Sequence, residues 1–192
     1  MRVLKSSSTA VNILGMILGV LCWSSFLLFD IEIGIARQIN SPLLWVYCFS
    51  NFVLFLGLQP LLTIVHEKAH AWAASHFSFK TKISYINKNK NGCKTFKPCC
   101  MFENSDEIGK SAFIVIALAP AIVLTLLFLP FLLFSKIYLL RYPELFCFGI
   151  PLYLLKLKGC FGDLSLILGA SKQPKGTTFQ QLCIGEFKVI KK

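Results

Sequence analysis

Residues 63–74 are Thr-Ile-Val-His-Glu-Lys-Ala-His-Ala-Trp-Ala-Ala, and the rest of the chain is interpreted around them. Their apolar composition predicts a helix, and residues four apart on a helix share one face. His66 and His70 can therefore present their imidazoles to a single cation, with Glu67 one position further round. Zinc binds neutral imidazole nitrogen, and catalytic zinc sites keep one position open for water. We predict that His66 and His70 bind Zn2+ and that Glu67 is the catalytic base.

Histidine is scarce in this chain, with three in 192 residues. From composition alone, an accidental His-Glu-x-x-His is expected on the order of one time in a thousand. The simpler explanation is two histidines that hydrogen-bond locally on a helix. The apolar setting disfavours it, because imidazoles and a carboxylate at the end of such a segment are costly unless they bind a ligand or face water.

The composition is that of an integral membrane protein. Hydrophobic residues make up 55% of the chain and the mean hydropathy is +0.66, which does not fit a soluble globular domain. Four apolar runs are long enough to cross a hydrocarbon core of about 30 Å, namely residues 11–29, 43–65, 111–135 and, less cleanly, 145–170. We predict an all-α membrane protein with about four transmembrane helices, forming a single membrane-embedded domain over residues 1–192.

Basic residues set the predicted orientation, because Lys and Arg near the ends of crossing segments are retained on the cytoplasmic side. The N-terminus and the tail after Ala170 are basic, whereas the loop between the first two crossings has Arg37 beside Asp30 and Glu32. The middle loop is rich in lysine, at Lys80, Lys82, Lys88, Lys90, Lys94, Lys97 and Lys110. We expect a multi-pass protein of the cell membrane with both termini and the middle loop in the cytoplasm.

The net charge of +11 raises the question of nucleic-acid binding. The basic residues cluster beside the predicted crossings and no nucleic-acid motif accompanies them, so orientation in the membrane explains them better. The same lysines would attract anionic lipid head groups, at about 1 kcal/mol each near the surface. We expect membrane lipids and a peptide or membrane-protein substrate as partners, no nucleic acid, and leave the oligomeric state open.

The middle loop has the pattern of a β-hairpin. Residues 80–86 alternate polar and apolar side chains, residues 87–92 supply turn chemistry, and residues 93–96 follow as a second strand. We predict a small cytoplasmic hairpin-like loop directly after the helix that carries the histidines. Its edge could pair with an extended substrate by strand addition; the alternative is a solvated turn between two helices.

Asp163 is the first candidate for a third metal ligand. The charged, glycine-rich residues 156–163 break the last crossing, so the chain there is expected to unwind or to face a polar cavity. Counted inward at about 1.5 Å per residue, Asp163 and His66 fall at similar depth in their helices. Asp163 could instead form a salt bridge with Lys158 or cap a helix.

His76 is the second candidate, because it lies ten residues after His66, the spacing of the third ligand in metzincins. Those proteins need a glycine to turn the chain between the second and third histidines, and Ala73 stands there in this chain. On an unbroken helix His76 points away from the face shared by His66 and His70. We therefore favour Asp163, so the predicted metal ligands are His66, His70 and Asp163.

These features resemble a family of bacterial membrane proteins of uncharacterised function described as putative zincin peptidases, which are similar in layout to site-2 proteases. The resemblance covers most of the chain. It is carried by His66-Glu67-Lys68-Ala69-His70, by the hairpin-like loop, by Ala117-Leu118-Ala119-Pro120 and by Gly162-Asp163-Leu164, of which the first motif alone is specific.

The resemblance implies His66 and His70 as zinc ligands, Glu67 as the general base and Asp163 as the aspartate that completes the site. One departure concerns Asp163. Site-2 proteases usually have glycine directly after this aspartate, whereas here Gly162 precedes it and Leu164 follows.

The sequence therefore predicts a zinc-dependent membrane-embedded peptidase, a hydrolase that cleaves a peptide bond at or near the cytoplasmic membrane face. The alternative is a non-catalytic membrane protein, such as a metal-binding or lipid-binding scaffold. The two differ at Glu67, because a scaffold needs the histidines at most and has no use for the base.

Topology reporters test the predicted orientation. A reporter inserted within residues 88–94 should score as cytoplasmic and one within residues 37–40 as extracytoplasmic, because the lysine-rich loop is retained inside. The measurement is the paired activity of a phosphatase and a fluorescent-protein fusion at each position in intact cells. The reverse pattern would move the histidines to the opposite membrane face.

Overall fold

The computed structural model describes residues 2–6, 9–88, 94–103 and 107–190. Within these residues, three helices are long and apolar enough to cross a membrane, namely Thr9–Ala36, Ser41–His76 and Lys110–Leu133. The bent pair Pro143–Gly159 and Phe161–Ser171 makes a fourth if it counts as one span. The prediction of a mostly helical membrane protein is confirmed, and the break in the last crossing falls at Cys160, within the interruption predicted at residues 156–163.

The helices are α1 (Thr9–Ala36), α2 (Ser41–His76), α3 (Lys110–Leu133), α4 (Ser135–Arg141), α5 (Pro143–Gly159) and α6 (Phe161–Ser171). The strands are β1 (Arg2–Lys5), β2 (Thr81–Lys88), β3 (Lys94–Phe102), β4 (Ile108–Gly109), β5 (Thr178–Cys183) and β6 (Glu186–Ile190). Both α1 and α2 extend beyond the apolar runs from which they were predicted. Asp30, which we placed in a loop, therefore lies inside α1.

The long helices carry large apolar side chains on their exposed surfaces. In α1, for example, Ile13, Met16 and Val20 are each at least 50% exposed. A soluble protein rarely leaves a continuous apolar surface of this kind in water, whereas lipid tails cover it at no cost. The exposed apolar surface of the helices thus supports the same conclusion as their length and hydropathy, which is that they can cross a membrane.

The chain divides into two compact units. The sheet unit comprises Met1–Asn12, Thr63–Val123 and Cys160–Lys192, and the helical unit comprises Ile13–Leu62 and Leu124–Gly159. In the helical unit, Phe26 stacks on Phe55 with ring centroids 4.2 Å apart. The buried Asp30 carboxylate accepts a hydrogen bond of 2.7 Å from Asn51 Nδ2 in the same unit.

The sheet unit is built around a four-stranded antiparallel sheet with strand order β1-β6-β5-β4. In β6 the buried residues alternate, at Phe187 and Val189, as expected for a strand with one face on a core. Phe113 of α3 stacks on Phe179 of β5 at 4.5 Å and meets Phe187 edge-on at 4.8 Å. These rings form the centre of the hydrophobic core of this unit.

This four-stranded sheet corrects the prediction of an all-α class with a hairpin alone. We interpreted the two basic ends of the chain as cytoplasmic flanks of membrane helices. That interpretation gave these ends no secondary structure, yet residues 2–5 pair with residues 186–189, so that Leu4 and Phe187 lie opposite each other and are both buried. Strands of four to six residues leave little periodic signal, and their pairing partners are far away in the sequence.

The predicted hairpin is confirmed as the two-stranded antiparallel sheet of β2 and β3. Its register runs from Thr81 opposite Phe102 to Lys88 opposite Lys94. The predicted turn began at Asn87, but Asn87 and Lys88 belong to β2. The rest of that turn and the start of the predicted second strand, residues 89–93, lie outside the described residues.

Candidate metal centre

His66, Glu67 and His70 lie near the carboxyl end of α2, within the sheet unit. Small side chains around them allow neighbouring elements to approach this end of the helix. The helix ends at His76, where the N–H groups of Phe77 and Phe79 donate to the carbonyl of Ala74 at 3.0 and 3.1 Å. Three of the four alanines of this turn and the one before it are buried in the core of the unit: Ala69, Ala73 and Ala74.

Asp163 is positioned by α6, which packs closely on β1. A Cβ atom at Gly162 would lie 3.4 Å from Ser6, and one at Gly169 would lie 2.9 Å from Leu4 Cδ2. The two glycines are seven residues apart and share a helix face, so the strand can lie directly against the helix. Asp163 follows Gly162 and is therefore fixed by the contact between β1 and α6.

The three predicted ligands come together. His66 Nε2 lies 3.2 Å from Asp163 Oδ2, and His70 Nε2 lies 3.5 Å from Asp163 Oδ1. The imidazole centroids are 5.0 Å apart with ring planes at 83°. One ligand atom from each of the three side chains lies within 4.8 Å of the other two.

Hydrogen bonds on the far side of the rings decide which nitrogen faces Asp163. His70 Nδ1 lies 2.8 Å from the carbonyl oxygen of Ile116, which can only accept, so Nδ1 carries a proton and donates it. His66 Nδ1 lies 3.7 Å from Cys160 Sγ. In both rings Nε2 is the nitrogen that points toward the carboxylate, and the thiol of Cys160 is on the side of His66 away from Asp163.

This arrangement needs a positive charge. A neutral His70 would direct the Nε2 lone pair at a carboxylate oxygen 3.5 Å away, which is repulsive unless a cation or a proton lies between them. Asp163 Oδ2 is buried and accepts no hydrogen bond from the part of the chain that the structure describes. A buried carboxylate oxygen without a donor is stabilised by a metal ion or by a protonated imidazole.

The donor set fits zinc. Two imidazole nitrogens and one carboxylate oxygen are a ligand combination of catalytic zinc sites, which leave a further position open. The Ile116 carbonyl bonds the outer nitrogen of His70, as the partner of a metal-binding histidine does to hold it in one orientation. Among the described residues, His66, His70 and Asp163 form the one group of three or more such side chains that could hold a metal ion.

Glu67 lies beside this cluster and is held by the hairpin. The backbone N–H of Cys100 in β3 donates to Glu67 Oε2 at 2.7 Å. Glu67 also interacts electrostatically with the side chains of His66 and His70. Burial raises the pKa of the Cys100 thiol to about 11, so this neighbour stays neutral near pH 7. Cys100 therefore contributes a backbone donor to the site and no competing thiolate.

The edge of β3 that faces the site is occupied by a side-chain amide. Gln181 of β5 accepts from the Phe102 N–H at 2.9 Å, and its Nε2 lies 3.4 Å from the Cys100 carbonyl oxygen. The amide thus bonds the strand edge at two points, much as one residue of a neighbouring strand would. These backbone groups lie directly next to the one that holds Glu67.

His76 lies apart from the cluster. It is the last residue of α2, its side chain is exposed, and its ring is 4.7 Å from that of Trp72. The helix continues unbroken through Ala73, so His76 keeps the direction that helical spacing assigns to it. The structure therefore brings Asp163 to His66 and His70 and does not bring His76.

The two other roles considered for Asp163 can be compared with its surroundings. The N-cap position of α6 is Cys160, and Asp163 lies in the first turn. The Lys158 side chain lies along α1, with Cε 3.2 Å from the position of a Cβ on Gly15 and Nζ 3.0 Å from one on Gly19. The ion-pair partners that the structure records for Asp163 are the two imidazoles, each of which is charged only if it is protonated.

Sequence reasoning missed the groups that support the site. The carbonyl of Ile116, the N–H of Cys100 and the amide of Gln181 act through backbone atoms or through pairing across distant strands. No residue type marks a backbone donor in advance. The fixed spacing within His66-Glu67-x-x-His70, by contrast, is a local helical feature and was visible from the start.

The geometry defines a helical membrane protein with a two-histidine, one-aspartate candidate metal centre and an adjacent glutamate. A family model described as putative zincin peptidase matches residues 60–178, which is more than half of the chain. The chain belongs to this family. The match runs from Pro60 in α2 through the hairpin, α3 and Asp163 to Thr178, the first residue of β5. No curated protein and no solved structure matches the chain significantly.

The ligand set is tested by metal analysis of purified protein. Wild type should carry about one zinc per chain. Asp163→Ala should weaken zinc binding strongly, because one of the three protein ligands is gone. Loss of a ligand's hydrogen-bond partner typically weakens binding by roughly 10–100-fold, and loss of the ligand itself should weaken it more. His76→Ala is the matched control and should bind zinc as wild type does. Zinc retained in Asp163→Ala and lost in His76→Ala would contradict this assignment.

Proposed function

We propose that this protein is a zinc-dependent membrane-embedded peptidase, similar in layout to site-2 proteases, that hydrolyses a peptide bond near the cytoplasmic face of the cell membrane. The observation that carries the proposal is the convergence of His66 Nε2, His70 Nε2 and the Asp163 carboxylate beside Glu67. Membership of the zincin peptidase family supports the same reaction class.

His66, His70 and Asp163 would hold the zinc ion in this reaction. When bound, the ion supplies Lewis-acid chemistry that polarises the scissile carbonyl and makes water more acidic. Glu67 accepts the proton of the attacking water and later passes it to the departing amine. The N–H of Cys100 holds Oε2 of Glu67 in place, which leaves the other carboxylate oxygen for proton transfer.

Substrate positioning is assigned to the edge of β3. An extended peptide that adds to this edge would meet the Cys100 carbonyl and the Phe102 N–H, next to the Cys100 N–H that holds Glu67. The Gln181 amide bonds these groups in the absence of a peptide. A substrate strand would therefore replace one set of hydrogen bonds with another, which keeps the exchange close to neutral in free energy.

The proposed substrate is a peptide or a membrane protein, with membrane lipids as the surrounding partners. The lysine-rich hairpin and the basic termini are assigned to the cytoplasm, where anionic head groups attract them. In this orientation the carboxyl end of α2 and the start of α6 lie near the cytoplasmic leaflet. A peptide bond close to that membrane face is then within reach of the site.

Glu67 separates a peptidase from a metal-binding scaffold. Glu67→Gln should keep zinc at the wild-type level but lower peptide cleavage by about 10²–10⁴-fold, because an amide preserves the shape and cannot accept the proton. Zinc content and cleavage of a peptide library in detergent micelles, followed by mass spectrometry, are the two measurements. The control is Glu103→Gln, since Glu103 is exposed just beyond β3. Cleavage at the wild-type rate by Glu67→Gln would reject Glu67 as the base.

A further inference from the structure

Pro120 removes a hydrogen-bond donor at a specific place in α3. In an α-helix the N–H of each residue donates to the carbonyl four positions earlier, and proline has no N–H. The carbonyl that residue 120 would otherwise engage belongs to Ile116. Both residues are buried, so water is not at hand to take the place of the missing donor.

The donor that reaches this carbonyl is His70. Its Nδ1 lies 2.8 Å from Ile116 O, within the range of a good N–H to oxygen hydrogen bond. This bond keeps the proton on Nδ1 and leaves Nε2 directed at Asp163, 3.5 Å away. The orientation of a predicted metal ligand thus depends on a main-chain oxygen that a proline has left available.

We propose that Pro120 is a positioning residue for the metal centre: by withholding its own N–H, it keeps the Ile116 carbonyl available for His70. The inference rests on the proposed zinc site but concerns a different residue. An alanine at 120 would restore the helical donor, which competes for the same oxygen. Because a carbonyl has two lone pairs, His70 would share the acceptor rather than lose it entirely.

The simpler explanation is that Pro120 bends or packs α3 and has no relation to the histidine. The two explanations assign the effect on the zinc site to different parts of Pro120, either its ring and the bend it causes or its missing N–H. If the bend or the ring matters, any replacement of proline changes the site. If the missing N–H matters, a replacement that also lacks the N–H leaves the site intact.

The experiment measures Zn2+ affinity by competition with a fluorescent chelator in detergent-purified full-length protein. Pro120→Ala should bind zinc about tenfold more weakly, the lower end of the roughly 10–100-fold typical for loss of a ligand's hydrogen-bond partner. Pro130→Ala is the matched control, since Pro130 is exposed in the same helix, and it should bind as wild type does. A variant with lactic acid at position 120 has the alanine side chain but an ester oxygen in place of the N–H. This variant should also bind zinc as wild type does.

Three results would overturn the inference while leaving the zinc site in place. The first is that Pro120→Ala binds zinc as tightly as wild type and the Pro130→Ala control do. The second is that the ester variant weakens zinc binding as much as Pro120→Ala does. If Pro120→Ala does not fold, nitrogen-15 NMR of the wild-type protein is the deciding measurement. The inference requires that His70 carries its proton on Nδ1. A proton on Nε2 alone refutes the inference. Absence of zinc binding by wild type is a separate result, which rejects the proposed function.

Discussion

The constraint on which the rest of the site depends is the placement of a buried carboxylate against two imidazole nitrogens. Asp163 faces Nε2 of both His66 and His70 at 3.2 and 3.5 Å, and the partner of His70 on its other nitrogen is an acceptor. The lone pairs of these nitrogens and of the carboxylate oxygens repel one another unless a positive charge lies between them. A metal ion or a proton on an imidazole can supply this charge, and the three side chains are a donor set that fits zinc.

The surrounding elements can be understood as supports for this cluster. The glycines of α6 let β1 lie against the helix that carries Asp163, and β1 is anchored by its pairing with β6. The carboxyl end of α2 is held by buried alanines, and the hairpin reaches Glu67 through the N–H of Cys100. Groups placed on helices and paired strands hold their geometry better than groups on loops. The small sheet thus has a clear physical role, because its strands hold the elements that carry Asp163 and Glu67.

The sequence allowed the local parts of this arrangement to be predicted. The spacing of His66 and His70, the apolar helices and the alternating hairpin strands are periodic features that depend on neighbouring residues. His76 was disfavoured because an unbroken helix points it away from the face shared by His66 and His70, and in the structure its ring lies against that of Trp72, apart from the cluster. Asp163 was inferred from depth along two helices, which is a weaker kind of evidence because it says nothing about contact.

Pairing between distant segments could not be predicted in the same way. The β1 and β6 strands are four and five residues long and lie at opposite ends of the chain, so neither has a pattern that identifies its partner. Gln181 and Ile116 act on the site through contacts across strands or through a backbone oxygen. The motif Ala117-Leu118-Ala119-Pro120 entered the sequence analysis only as part of the family resemblance, and its relation to His70 required the distance between Ile116 O and Nδ1.

X-ray absorption at the zinc edge of the loaded wild-type protein tests the central claim most directly, since it reports the atoms around the metal without reference to activity. The account predicts scattering from two imidazoles with nitrogen at about 2.0–2.1 Å, the remaining positions filled by oxygen, and no sulfur. Scattering from three imidazoles, or a sulfur shell at about 2.3 Å, would contradict a centre built from His66, His70 and Asp163.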